Sequence, residues 1–179
     1  MRQPRLAVLI LTCAFLPLEP SLARTASTKP LPCNQNPAYH KLDFWIGDWD
    51  VFDRKSGQKD GTNRIEKILK ECAILENWTE ASDGSEGKSL FYFQRATGEW
   101  KQVWVEDSGG IKEKNLQDSY SGEGVRFQGE IPHKDGSSHL DRTTLKPISE
   151  GRVQQTIEIS RDSGKTWEVV YDAEYRRPK

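Results

Sequence analysis

Eight turn signals punctuate this chain at short intervals: Lys55-Ser56-Gly57, Ser82-Asp83-Gly84, Thr97-Gly98, Ser108-Gly109-Gly110, Ser121-Gly122, Lys134-Asp135-Gly136, Glu150-Gly151 and Asp162-Ser163-Gly164. Glycine, aspartate and serine in these combinations favour tight hairpins, because they adopt positive φ or bond back to their own backbone. Between the signals, apolar and polar residues alternate with a period of two, the pattern of half-buried strands. Segments this short leave no room for a long helix. The alternation predicts strands near residues 48–54, 62–71, 73–81, 88–96, 99–106, 111–117, 123–131, 138–146, 152–160 and 166–177. About ten sequential strands without helical crossovers make an antiparallel meander, and closing it into an up-and-down barrel removes both exposed edges. The fold class expected is therefore all-β, an antiparallel lipocalin-like barrel with a short N-terminal helical turn.

The body is sized for one domain. Residues 1–23 read as a signal peptide: Arg2 and Arg5 precede the apolar run Leu6 to Leu16, and Ser21-Leu22-Ala23 offers small residues for cleavage after Ala23. The run is too short to span a bilayer, and a lipoprotein reading through Cys13 is disfavoured by Thr12 before it. Residues 24–37, rich in Thr, Ser, Pro and Asn, read as an N-terminal tail, and 38–179 as a single β-barrel domain. Asn36-Pro37 resembles a helix cap followed by proline at the first helical position. A charged fraction of 30% with mean hydropathy −0.77 rules out a membrane-spanning body. Losing Arg2, Arg5 and Glu19 with the leader shifts the formal charge from −1 to −2, so no basic surplus points to nucleic acid or anionic lipid. Oligomeric state is not legible.

Removal of Cys13 leaves Cys33 and Cys72, an even pair in a secreted or periplasmic setting. One disulfide between them is the economical reading; two free thiols is the alternative.

Three segments carry a resemblance: Phe44-Trp45-Ile46-Gly47-Asp48-Trp49-Asp50-Val51, Glu71-Cys72-Ala73-Ile74-Leu75-Glu76-Asn77-Trp78 and Trp100-Lys101-Gln102-Val103-Trp104-Val105. Together they are similar to a family of small exported bacterial proteins of unknown function, over roughly residues 33–177. Gly47-x-Trp49 also resembles the first-strand signature of lipocalin-like (calycin) barrels. That resemblance implies a structural role for Gly47 and Trp49, with Trp49 plugging one end under an arginine from the last strand, either Arg176 or Arg177. Ser160-Arg161-Asp162-Ser163-Gly164-Lys165-Thr166-Trp167 matches the Asp-box of sialidase-like propellers, but one full copy cannot make a propeller. It reads as a structural hairpin.

Period two assigns the interior. With Trp78, Trp104 and Tyr171 taken as inward-facing, the same faces carry Glu76, Phe91, Phe93, Arg95, Trp100, Gln102, Gln155, Ile157 and Tyr175. The residues read as ligand-binding are Trp45, Glu76, Trp78, Phe93, Arg95, Gln102, Trp104, Gln155, Tyr171 and Tyr175. Aromatic walls with a few polar groups suit a small amphipathic ligand. A packed core with the register shifted by one residue is the competing reading.

Catalytic groups are thin. Glu76, Asp50 and Asp53 are available carboxylates, but no spacing fixes a pair. His133, His139 and Asp141 cluster around a polar turn, with His139 and Asp141 on one strand face; a metal site needs a third oriented ligand, so the histidines read as solvated and no metal is expected. The last strand has Tyr171 and Tyr175 but no histidine to ligate haem, so no cofactor is expected. Asn77-Trp78-Thr79 is a glycosylation sequon only in a eukaryotic source. Three functions remain: an exported binding barrel for a small amphipathic molecule, a barrel enzyme acting on a phenolic or carbonyl substrate, and a non-catalytic envelope interaction domain.

Overall fold

The computed structural model describes residues 30–179. The leader at 1–23 and the first part of the tail lie outside the described residues. Ten strands follow one another: β1 (Gly47–Asp53), β2 (Lys59–Ile68), β3 (Ala73–Glu80), β4 (Glu86–Gln94), β5 (Glu99–Glu106), β6 (Ile111–Leu116), β7 (Val125–Pro132), β8 (Ser138–Ser149), β9 (Arg152–Ser160) and β10 (Glu168–Arg176). Each pairs antiparallel with its neighbour in sequence, and β1 pairs with β10 through Asp50↔Arg176 to Asp53↔Ala173, which closes the barrel. The expected all-β meander is the fold, and among the described residues no edge strand remains.

Most strand ends fall within one to three residues of the sequence expectation, and two of the differences have a clear backbone cause. Strand β2 stops at Ile68, because Leu69, Lys70 and Glu71 all take positive φ (52°, 57° and 69°) to turn the chain without a glycine. The β6–β7 connection turns through Gly124 (φ 83°), so β7 begins two residues later than the alternation suggested.

One end of the barrel is closed by the segment that precedes β1. Three single turns of 3₁₀ helix, Cys33–Gln35, Pro37–Tyr39 and Asp43–Trp45, cross it. Asn36 caps the second, its Oδ1 accepting from the Ala38 amide at 3.0 Å. Trp45, Trp49 and Trp100 are essentially inaccessible. Trp45 meets Phe91 and Tyr175 edge-on, and Phe91 meets Phe127 in the same way. Edge-to-face contacts of this kind add about 0.5–1.5 kcal/mol each beyond area burial.

Of the two candidate arginines, Arg177 caps Trp49: its guanidinium carbon lies 3.7 Å from the ring centroid, and Nη2 donates to the Ile46 carbonyl at 2.8 Å. Arg176 lies over Phe52 instead. Trp49 Nε1 donates to the Trp45 carbonyl at 2.7 Å, tying strand to plug. Gly47 has φ 126°, and an added Cβ there would lie 2.1 Å from Arg177 Nη1. The backbone conformation requires glycine, and a side chain there would also displace the Arg177 guanidinium from Trp49.

Cys33 and Cys72 form a disulfide across 39 positions, fastening the plug to the start of β3. The Asp-box hairpin is likewise structural. Asp162 accepts from the Thr166 amide and hydroxyl, and these bonds hold its carboxyl down at about 2. Trp167 packs under the Arg142 guanidinium at 3.8 Å.

Candidate functional site

Away from the plug, the barrel is not filled. A cavity of about 310 Å³ occupies the half towards the β3–β4, β5–β6 and β9–β10 turns, lined by Glu76, Trp78, Glu80, Gln102, Trp104, Glu106, Lys112, Lys114, Thr143, Gln155, Ile157, Val170, Tyr171 and Tyr175. That volume is at the lower end of small-molecule sites, about 300–1,000 Å³. Seven residues read from the sequence as ligand-binding line it: Glu76, Trp78, Gln102, Trp104, Gln155, Tyr171 and Tyr175.

Trp45, Phe93 and Arg95 lie elsewhere, and their reading is corrected. Trp45 is part of the plug, wholly buried against Phe91 and Tyr175. Phe93 packs on Tyr39 and Trp100 beneath the cavity. Arg95 falls past the end of β4, where alternation no longer determines its direction, and donates to Tyr39 Oη at 2.8 Å and the Leu31 carbonyl at 3.0 Å.

Two glycines within strands shape the walls. A Cβ on Gly61 would lie 2.6 Å from the Trp78 indole, and one on Gly87 would lie 2.1 Å from that of Trp104. Each tryptophan occupies space that any other residue would deny it. Trp104 is held by donation from Nε1 to Glu106 Oε2 at 3.2 Å.

A belt of hydrogen bonds crosses the barrel at the cavity floor. Gln102 Nε2 donates to Ser89 Oγ at 3.1 Å, and Ser89 faces Glu76. Asn63 Nδ2 donates to Glu76 Oε1 at 2.7 Å and contacts Tyr175 Oη at 3.2 Å, while Tyr175 donates to Gln155 Oε1 at 2.7 Å. Glu76 is only 4% exposed, and burial raises its carboxyl pKa despite the Ser89 and Asn63 contacts and the Lys114 charge. Burial also raises the Tyr171 and Tyr175 phenols, with Asp60 beside the first and Glu76 near the second.

Opposite Glu76 stands a second polar group. Asp141 is fully buried and takes Lys114 Nζ at 2.6 Å and Lys112 Nζ at 3.0 Å; Lys114 also donates to Thr143 Oγ1 at 2.7 Å. Burial works against the Asp141 charge, but the two ammoniums outweigh it and keep its pKa below the ordinary value. Lys114 shifts down, because burial costs its charge more than Asp141 returns.

The sequence reading did not name Lys112, Lys114 or Thr143 and grouped Asp141 with the histidines of a polar turn, whereas Asp141 is buried against the two lysines. A signal was present nonetheless. The Ser108-Gly109-Gly110 turn pairs Val105 with Ile111, and counting back from it places Lys112 opposite Trp104 and Lys114 opposite Gln102.

The other carboxylates considered lie outside the cavity. Asp50 pairs with Lys59 at 2.6 Å on the outer surface, and Asp53 accepts from the Ser56 amide and hydroxyl in a turn. His133 and His139 stack with centroids 4.9 Å apart. Among the described residues no group of three or more His, Cys, Asp or Glu is placed to hold a metal, and no helix is long and apolar enough to cross a membrane. Comparison with protein-family models and with curated proteins finds no match to this chain.

Proposed function

We propose that this chain is an exported lipocalin-like barrel that binds a small amphipathic molecule in its open half. The observation that carries the reading is the cavity itself: about 310 Å³ with Trp78 and Trp104 as walls and a hydrogen-bonded floor at Glu76, Gln102 and Tyr175. A core under pressure only to pack would fill that volume, because empty space forfeits dispersion contacts. The apolar body of a ligand fits between the indoles and Ile157, with its polar end on the floor. The disulfide favours export to an oxidising compartment. The Phe44-Trp45-x-Gly47-x-Trp49 segment supports kinship with the small exported bacterial proteins it resembles.

Native mass spectrometry of protein purified from its own compartment tests this. The wild type is expected to carry a small bound mass that Ile157→Trp, which fills the cavity, does not. Wild-type protein whose native and denatured masses agree, with nothing bound, would abandon the reading.

One observation favours a catalytic variant of it. Glu76 is a buried carboxyl at the cavity floor whose pKa burial raises, the direction in which a general acid is tuned. Turnover of a phenolic or carbonyl substrate would then disappear in Glu76→Gln while binding persists. An interaction domain working only through its surface predicts a filled interior, and the cavity counts against it.

A further inference from the structure

The unpartnered polar atoms of the interior indicate what head group the cavity takes. Buried side-chain atoms without a hydrogen-bond partner among the described residues include Asp60 Oδ2, Asn63 Oδ1, Gln102 Oε1 and Trp45 Nε1. The single donor, Trp45 Nε1, belongs to the plug. Of the three acceptors Gln102 lines the cavity, while Asn63 and Asp60 lie behind its wall, beside the lining residues Glu76 and Tyr171. Gln102 is only 7% exposed, and its amide is oriented by Ser89, which takes Nε2 and leaves the carbonyl end free. A buried acceptor left unpaired costs about 1–3 kcal/mol, which a ligand donor recovers.

Charge points the same way. Glu76, Glu80 and Glu106 line the cavity, whereas its two ammoniums, Lys112 and Lys114, are both engaged by Asp141. Glu80 and Glu106 have no ion-pair partner among the described residues, so even without the buried Glu76 carboxyl the charge left over at the cavity is negative, and indole rings attract cations through their negative faces. We propose that the cavity selects a protonated primary or secondary amine on an apolar body, its N–H groups directed to Gln102 Oε1 and Glu76 and its body between Trp78 and Trp104. This rests on the binding reading above and specifies its ligand class.

Calorimetric titration with three probes of one shape, phenethylamine, 2-phenylethanol and 3-phenylpropionate at pH 7, separates the two. Phenethylamine is expected to bind at least tenfold tighter than either of the others. Gln102→Leu should reduce the amine's affinity at least fivefold and leave the alcohol within twofold. Glu80→Gln, at the mouth and outside the core, should weaken the amine alone and flatten its salt dependence, so the inference does not depend on a core variant folding. Equal affinities, or preference for 3-phenylpropionate, would overturn the amine assignment and leave the binding reading standing. Absence of binding by all three probes at millimolar concentration would overturn both.

Discussion

Gly47 carries more constraint than any other single residue in the closed end. Its φ of 126° is a region that side chains avoid, and the space a Cβ needs is already held by the Arg177 guanidinium. Gly47→Ala is expected to lower unfolding free energy by about 2–3 kcal/mol, because backbone strain and displacement of the arginine from Trp49 add. Urea denaturation checks this; a change under 0.5 kcal/mol would show that the plug tolerates both. Asp141 is the corresponding residue in the open half. Its folded pKa is depressed, so its contribution is present above its ordinary unfolded value, about 3.9, and is lost as pH falls from there through the lower folded value. Asp141→Asn leaves Lys114 buried without its partner, and a loss of about 3–5 kcal/mol at pH 7 is expected. The difference between wild type and variant should shrink as pH drops below about 4, and a difference independent of pH would argue that Asp141 acts by shape alone.

At the scale of elements, the chain divides into a plug that the sequence made partly legible and a cavity that it half concealed. Alternation and eight turn signals located all ten strands, because the hairpins were tight and their residues conventional. The β2–β3 turn was harder to place, since Leu69, Lys70 and Glu71 take left-handed conformations that their side chains do not advertise. The interior faces were read correctly at Glu76, Gln102 and Gln155, where neighbouring aromatic residues guided the register, but not at Arg95, past the end of β4. The burial of Lys114 and Asp141 was missed, because a buried ion pair cannot be told from two solvated charges until cross-strand register is known. The disulfide ties the plug to that turn between β2 and β3: Cys33 lies in the first 3₁₀ turn, and Cys72 follows the left-handed residues. Reducing it releases a loop closed across 39 positions. Unfolding free energy is expected to fall by about 3–4 kcal/mol on the chain-entropy argument. Denaturation with and without reductant measures it, and an unchanged midpoint would mean that the aromatic contacts alone hold the plug in place.

For the whole molecule, the two ends of one barrel do different work. The end at Trp45, Trp49 and Trp100 is packed and closed by Arg177, and it fixes the fold. The other end leaves about 310 Å³ open between Trp78 and Trp104 above a polar floor. Closing the sheet makes this division possible: with no edges to protect, the barrel is stabilised at one end and left hollow at the other. The six tryptophans report on both ends at once, three in the plug, two on the cavity walls, and Trp167 on the outer hairpin. The most direct test is therefore the indole ¹H–¹⁵N spectrum of the folded protein titrated with phenethylamine and, separately, 2-phenylethanol. The Trp78 and Trp104 resonances should move saturably with one common Kd while those of Trp45, Trp49 and Trp100 stay in place; shifts confined to the plug tryptophans or to Trp167, or none at saturating probe, would contradict a ligand site in the open half.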